Sequence, residues 1–368
     1  MNLPGKKNLQ VQHVVDLYKE SHLKRVVLLI VILAVLVFTS LYAISAGTAN
    51  ISIEDVFLSI AHSIFPDLFA GPDNEFASII VLNMRLPRIL LAIFTGVSLA
   101  VAGAVMQGTL RNPLVSPFTL GLASAASFGA AMTIVMGTGI LGLFMAGMGN
   151  YDIIFNAFLF GCFSMLIIYA IARVKGTSQA TLILAGVVIG YIFQAGVLIL
   201  KYSSNNEKLK ELVVWLMGGM WGANWNAVII VSIITTICVI LLWLMAWRLN
   251  ALSAGDEIAK NLGINVEGTR LFCLMIATMA ASSCLAFTGV IGFIGLMAPH
   301  ICRMLIGNDH RFLVPCAALM GGLILLISDT FARTIMSPIE IPVGIIMYIL
   351  GGVFFLYLLL RGRESHIY

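Results

Sequence analysis

The chain contains a series of long apolar runs, and these runs constrain its fold more than any other feature. The clearest one, from Val26 to Ala46, has 21 residues and no charged side chain. A helix needs about 20 apolar residues to cross a bilayer. The run is too long for the core of a signal peptide and lacks a cleavage site, so we expect it to stay in the protein as a membrane-spanning helix.

The composition extends this interpretation to the whole chain. Of the 368 residues, 60% are apolar and 10% are charged, whereas soluble domains carry roughly 25% charged residues. So few charges exclude a soluble enzyme, a nucleic-acid-binding module and a disordered chain. The sequence predicts an all-α polytopic membrane protein.

Ten apolar runs separated by polar segments predict ten transmembrane helices. The expected segments are a cytoplasmic part at 1–25, a transmembrane domain at 26–362 with a cytoplasmic loop at about 250–268, and a cytoplasmic tail at 363–368. The predicted spans lie near 26–46, 89–109, 118–138, 153–172, 181–200, 227–247, 269–289, 291–306, 313–333 and 342–360.

The basic residues predict the orientation, because Lys and Arg concentrate on the cytoplasmic side of a membrane protein. Ten spans put both termini on the same side. If that side is the cytoplasm, 15 of the 21 Lys and Arg residues lie inside and six lie outside. We therefore expect both termini to be cytoplasmic.

Three of the outside residues are arginines next to predicted spans. Arg85 and Arg88 are three residues apart and so share one face of a helix, and Arg333 ends the ninth span on the same side. Two interpretations remain open: contact with lipid phosphates, or a basic rim that docks a separate acidic protein.

The loop between spans six and seven predicts a short cytoplasmic helix. Its pattern is a candidate N-cap, two acids in the first turn and a glycine after the last turn: Ser253, Asp256, Glu257 and Gly263. Ile258 and Leu262 would form an apolar pair on its surface, which a motor protein could contact. The alternative is an ordinary capped connection.

Asp329 is the clearest ionisable residue deep in a predicted span. Such an acid is a candidate proton or cation site, but it also fits an ion pair with Arg333 one helical turn further on, which we favour. The spans carry no paired acids and no metal-ligand spacing, and the chain has no GxxxxGK[ST] sequence. We expect no catalytic or metal site, and ATP-driven transport would require a separate ATPase.

A weak internal repeat points to transport. A fixed offset of 186 residues aligns Gly103 with Gly289 and Pro113 with Pro299, in spans two and seven. These spans run in opposite directions, and inverted repeats are common in transporters.

Six short motifs lie between about residues 50 and 362: Met84-Arg-Leu-Pro-Arg88, Gly103-Ala-Val-Met-Gln-Gly108, Arg111-Asn-Pro-Leu-Val-Ser-Pro117, Gly292-Phe-Ile-Gly-Leu-Met-Ala-Pro-His300, Gly307-Asn-Asp-His-Arg311 and Ile341-Pro-Val-Gly344. Together, and in this order, they resemble the FecCD family of importer permeases. That family serves iron–siderophore, haem and vitamin B12 uptake in prokaryotes.

The resemblance implies the type II ABC importer permease fold, with an inverted repeat, in the prokaryotic cell membrane. It implies three kinds of partner besides membrane lipid: a second permease copy in a homodimer, two ATPase subunits that bind ATP and Mg, and an extracytoplasmic substrate-binding protein. No cofactor is expected on this chain, and no nucleic acid. The cargo would be a metal chelate, iron–siderophore first and corrinoid or haem next. The alternative is a secondary transporter driven by an ion gradient through Asp329.

The resemblance also implies roles for individual residues. The positions that match binding-protein docking are Arg85, Arg88 and Arg333. Those that match coupling to the ATPase are Ser253, Asp256, Glu257, Ala259 and Gly263. Span five resembles the gate of the family, with Gly186, Gly190 and Gly196 as candidates; the alternative for Gly186 and Gly190 is close helix packing within one subunit.

Overall fold

The protein is described by a computed structural model over residues 4–47, 51–72, 74–140, 150–175 and 178–361. The regular secondary structure in this part of the chain is entirely helical, which confirms the predicted all-α class. The helices are α1 Pro4–Ser45, α2 Ile53–Ile64, α3 Glu75–Ile79, α4 Leu86–Leu110, α5 Leu122–Met136, α6 Asn150–Lys175, α7 Gln179–Ser203, α8 Asn206–Met217, α9 Trp225–Leu244, α10 Ala246–Ala254, α11 Asp256–Asn261, α12 Val266–Thr288, α13 Ile294–Ile306, α14 His310–Thr334 and α15 Val343–Arg361.

Ten of these helices correspond to the ten predicted spans. Eight are long and apolar enough to cross a membrane, among the residues that the structure describes, and two further apolar helices are shorter. A π-helical segment, Ile80–Arg85, joins α3 to α4 and extends the second span at its amino end. The protein is therefore a multi-pass membrane protein.

The two short apolar helices are α5 and α13. With 15 and 13 residues, they rise about 20 Å, less than the roughly 30 Å of the hydrocarbon core. The short eighth span was expected, whereas the third was predicted at full length. Gly121 and Gly137 bound α5 with left-handed φ angles of 74° and 80°, a conformation that ends a helix at little cost for glycine.

The first helix is longer than its apolar run. α1 continues without a break from Pro4 to Ser45, so it passes through the expected boundary at residue 25. No Gly or Pro lies between residues 6 and 46 to interrupt it. The predicted tail at 363–368 lies outside the described residues.

Helix α4 occupies the centre of the bundle, where α9, α12, α13 and α14 pack against it. Glycines allow the closest approaches. A Cβ atom on Gly96 would overlap the carbonyl of Gly321 in α14, and one on Gly103 would overlap the carbonyl of Gly295 in α13. Within a membrane, close backbone packing of this kind holds helices together because lipid offers no hydrophobic driving force between them.

The fixed offset of 186 residues is wrong, because it does not align equivalent positions of the two helix pairs. Gly103 lies inside α4 whereas Gly289 ends α12, and Pro113 lies in a turn whereas Pro299 lies inside α13. The order of elements is nevertheless alike, since α4 and α12 are each followed by a short apolar helix. The connections differ in length, residues 111–121 against 289–293, so one offset cannot align both helices of each pair.

Following the distribution of basic residues, we call the end of the bundle near Arg85 and Arg333 extracytoplasmic and the end near α10 and α11 cytoplasmic.

Candidate functional site

The three predicted docking arginines lie together at the extracytoplasmic end. Arg85 ends the π-helical segment, Arg88 lies in the first turn of α4, and Arg333 lies in the last turn of α14. We call these three residues the arginine cluster. The structure therefore brings together residues that are up to 248 positions apart in the chain.

Two members of the arginine cluster bind the end of α1. Arg85 donates from Nη1 to the carbonyl oxygens of Ile44 at 2.6 Å and Ser45 at 2.9 Å. Arg333 donates to the carbonyl oxygens of Ala46, at 2.8 Å, and Ala43. The last carbonyls of a helix lack N–H partners and carry partial negative charge, so the two guanidinium groups both satisfy and neutralise them.

The third member, Arg88, binds Asp329 of α14 through two hydrogen bonds. Nε lies 3.0 Å from Oδ2 and Nη2 lies 2.9 Å from Oδ1. Asp329 is 1% exposed and Arg88 15% exposed, and Arg88 also contacts Glu340 at 2.8 Å. Two parallel bonds between a guanidinium and a carboxylate are among the strongest ion pairs in proteins.

The expected pair between Asp329 and Arg333 is present, but it is the weaker contact, with Nε 4.0 Å from Oδ2. Arg88, the main partner of Asp329, is not predictable from helix spacing because the two residues are 241 positions apart. Only helix spacing was visible in the sequence, and it favours partners one turn away.

These contacts keep two members of the arginine cluster buried. The side chains of Arg85 and Arg333 are each 6% exposed, so they contact protein rather than lipid phosphates. Docking through them requires their guanidinium groups to leave the carbonyls of α1, and the docking role stays a prediction. Arg88, with its outward contact to Glu340, is the member nearest to the surface.

The predicted coupling segment is formed at the cytoplasmic end by α10 and α11. Ser253 does not cap α11, contrary to our expectation: it lies inside α10, and its hydroxyl donates to the Gly108 carbonyl at 3.4 Å. Gly255, with φ of 135°, occupies the N-cap of α11 and supplies no side-chain cap. Ser253 is part of α10 because that helix continues to Ala254.

Asp256 anchors the start of α11. Both of its carboxylate oxygens accept hydrogen bonds at 3.0 Å from Arg270 of α12, and Arg111, which follows α4, lies 3.3 Å away. A single carboxylate thus connects α11 to the end of α4 and to α12.

The rest of α11 has one buried and one exposed side. Ala259 is fully buried, whereas Ile258 and Leu262 are 50% and 66% exposed, as the spacing predicted. Gly263 follows the helix with φ of 78°, and its N–H donates to the Lys260 carbonyl at 2.9 Å. Glu257 is also exposed. The exposed side of α11 therefore carries an apolar pair, and its coupling role stays a prediction.

A polar contact that the sequence analysis missed holds α10 to α14. Asn250 donates to Asp309 at 2.8 Å, and Arg311 also binds this carboxylate. Burial acts to raise the pKa of Asp309, but the hydrogen bonds from Arg311 and Asn250 outweigh it and lower the pKa to about 2. The carboxylate therefore stays charged at any physiological pH.

The three gate candidates lie on α7 and face other helices of the same chain. A Cβ atom on Gly190 would lie 2.9 Å from Cα of Gly121, and one on Gly196 would lie 2.6 Å from the ring of Phe128. Gly186 also packs on the turn before α5. Close packing within one subunit therefore accounts for all three glycines, and a gate role stays a prediction.

The described side chains include no group of three or more His, Cys, Asp or Glu residues that could hold a metal ion. The chemistry of both sites is therefore that of ion pairs, helix ends and exposed apolar surface.

Comparison with known proteins identifies the family. The FecCD transport family matches residues 32–361. The hemin transport system permease protein HmuU of Yersinia pestis is 39% identical over 325 residues, 88% of this chain and 94% of that protein. The Fe(3+)-citrate import system permease protein YfmE of Bacillus subtilis is 37% identical over 339 residues, 91% of this chain and 96% of that protein.

The fold gives the same answer. A solved ABC transporter assigned to the metal-chelate type, in an inward-facing conformation, superposes with a TM-score of 0.79 at 30% identity and covers 91% of this chain and 99% of that one. Sequence and fold agree over nearly the whole chain, and the protein belongs to the FecCD transport family.

Proposed function

We propose that this protein is the membrane permease subunit of an ATP-driven ABC importer for a metal chelate. The observation that carries the proposal is the anchored helix α11, which presents Ile258 and Leu262 to the cytoplasm and is tied to α4 and α12 through Asp256. A force applied to this helix by an ATPase would pass directly to two spanning helices.

The proposed cargo is a metal chelate, with an iron–siderophore complex first and a corrinoid or haem next. Support comes from relatives named for hemin and ferric citrate, which are similar to this chain over most of its length. In both names the iron is already held by its own ligands, so a permease would not need to supply metal ligands.

We propose that the working assembly contains two copies of this chain, two ATPase subunits and an extracytoplasmic binding protein. One side of α7 supports the homodimer, because Val188, Tyr191, Ile192 and Leu198 are exposed there. In a twofold-symmetric dimer the same face of each copy covers the other, and the cargo would pass between them.

The ion-driven alternative depends on Asp329. That carboxylate is bound by Arg88 through two hydrogen bonds and lies beside Arg333. A coupling site must bind and release its proton or cation in each cycle, whereas both oxygens of this carboxylate already accept hydrogen bonds from Arg88. The arrangement therefore supports a structural role for Asp329.

Retention of an ATPase on purification tests the proposal. We expect the co-expressed cognate ATPase to remain with this chain. The double variant Ile258→Asp, Leu262→Asp should bind it about 30-fold more weakly, the loss for two contact residues worth about 1 kcal/mol each. Val174→Asp, an exposed apolar position at the cytoplasmic end of α6, is the matched control and should retain the ATPase.

Reconstituted vesicles give the complementary test. We expect uptake to require ATP and the ATPase. Accumulation of cargo by this chain alone under an ion gradient would refute the importer proposal and support the secondary transporter.

The docking role of the arginine cluster predicts an effect of Glu340, which neutralises Arg88 from the outer side and is 36% exposed. Glu340→Gln should remove the negative charge beside Arg88 and so tighten docking of an acidic binding protein about five-fold at low salt, the effect of about 1 kcal/mol. Asp67→Asn, an exposed acid in the α2–α3 connection, makes the same charge change as a control. Equal effects of both variants would mean that general charge, not Arg88, governs docking.

A further inference from the structure

A groove at the cytoplasmic end lies between α1 and the end of α13, away from the arginine cluster and from α11. Its volume is about 510 Å³. The residues that line it are Glu20, Ser21, Lys24, Arg25, Leu28, Leu305, Ile306 and Gly307. No role proposed above involves this groove.

The basic residues of the groove stand at the level of the membrane surface. Lys24 is 74% exposed at its side chain, and its ammonium group lies 2.8 Å from Glu20. Arg25 lies 3.7 Å from Asp309, beyond hydrogen-bond distance, and its guanidinium stacks over Phe312. Lys24 and Arg25 thus offer N–H groups that a further anion could accept from.

The apolar residues of the groove lie on the side towards the bilayer. α1 enters the membrane after Arg25, so Leu28 lies about 6 Å deeper than Lys24 along the helix. Leu305 of α13 is 52% exposed. The groove therefore has charged residues at its outer edge and apolar residues deeper in. A phospholipid has the same arrangement, with a polar headgroup outside and acyl chains inside.

The far wall of the groove supplies hydrogen-bond acceptors. α13 ends at Ile306, and Gly307 adopts φ of 84° and donates its N–H back to Arg303. The last carbonyls of α13 have no helical N–H group beyond them and carry partial negative charge. Together with Glu20 they favour a hydrogen-bond donor opposite the basic residues.

We propose that this groove binds a phospholipid of the cytoplasmic leaflet, whose phosphate contacts Lys24 and Arg25 and whose terminal hydroxyl or ammonium donors contact Glu20 and the end of α13. The headgroup that fits carries both an anionic phosphate and hydrogen-bond donors, as in phosphatidylglycerol or phosphatidylethanolamine. The lipid would bridge α1 and α13 at the surface.

A free phosphate ion fits the groove less well than a lipid. It would use the basic rim but would make no contact with the apolar wall of Leu28 and Leu305, which the acyl chains of a lipid can cover. The charged rim alone contributes only about five-fold in affinity for each basic residue near a membrane surface.

The test is lipid binding to the purified full-length chain, measured by native mass spectrometry after delipidation and titration with phosphatidylglycerol. We expect one tight site, weakened about five-fold by Lys24→Ala, the loss for one basic residue. Ser21→Trp, which fills the groove without changing its charge, should abolish the site. Arg173→Ala, an exposed arginine at the cytoplasmic end of α6, should bind as the unaltered protein does.

Two further ligands test which parts of the lipid the groove recognises. Phosphatidylcholine, which has a phosphate but no terminal donor, should bind more weakly, and glycerol phosphate should not compete. Equal binding of phosphatidylcholine, effective competition by glycerol phosphate, or unchanged binding in folded Lys24→Ala and Ser21→Trp proteins would each overturn the proposal. None of these outcomes bears on the importer function.

Discussion

Replacing Asp329 with alanine is expected to destabilise the protein by about 3–5 kcal/mol, the usual effect of removing one partner of a buried ion pair. The carboxylate is 1% exposed and receives two hydrogen bonds from Arg88. Without it, Arg88 and Arg333 keep their charges inside the protein with no carboxylate between them. The measurement is unfolding of the purified protein by SDS in mixed micelles, followed by tryptophan fluorescence.

Two matched variants test this explanation. The double variant Asp329→Leu, Arg88→Met removes both charges and should recover most of the lost stability, because apolar residues of similar volume often replace a buried pair without cost. Glu340→Gln should cost less than about 1 kcal/mol, since its pair with Arg88 is partly exposed. A loss below about 1 kcal/mol for Asp329→Ala would contradict a structural role.

The same residue separates the two transport mechanisms. A structural Asp329 predicts that uptake and stability fall together in Asp329→Asn. A protein with full stability but no uptake would instead indicate that the carboxylate carries the coupling ion.

Gly263→Pro is expected to uncouple ATP hydrolysis from transport. Gly263 has φ of 78° and donates its N–H to Lys260 at 2.9 Å, whereas proline requires φ near −65° and has no N–H. The end of α11 must therefore rearrange and displace the exposed pair Ile258 and Leu262. Transport per ATP hydrolysed should fall about ten-fold or more, the factor for a misfit of 1.4 kcal/mol, in vesicles that contain the complete importer.

Gly263→Asn is the control for this prediction. Asparagine adopts the left-handed conformation more readily than other residues with a side chain, and no atom lies within 4 Å of a Cβ added at this position. It should couple nearly as well as glycine. Full coupling in Gly263→Pro would remove the segment from the mechanism, and equal damage by both variants would show that contact with the side chain, not backbone conformation, is responsible.

Several local features were predictable from the sequence because they depend on neighbouring residues only. The exposed pair on α11 follows from the four-residue spacing of Ile258 and Leu262. The short α13 was also expected. Each of these depends on a contact or a periodicity within about one or two helical turns.

The wrong predictions concern features that depend on distant parts of the chain or on backbone conformation. Serine is a common N-cap residue, but Ser253 lies inside α10, which continues to Ala254. The third span is short because Gly121, with φ of 74°, packs against Gly186 and Gly190 of α7. Composition alone does not reveal which glycine adopts a positive φ.

The sequence by itself determined that the chain is a multi-pass helical membrane protein, because long apolar runs have few alternatives in water or lipid. Its motifs, taken together and in order, indicated the transport family. Only the tertiary structure decided what its charged residues do. Arg85 and Arg333 donate hydrogen bonds to the carbonyls at the end of α1, and Arg88 of α4 pairs with Asp329 of α14. A buried charge is paired by whichever group the packing brings within about 3–4 Å, and that distance is a property of three-dimensional packing rather than of position along the chain.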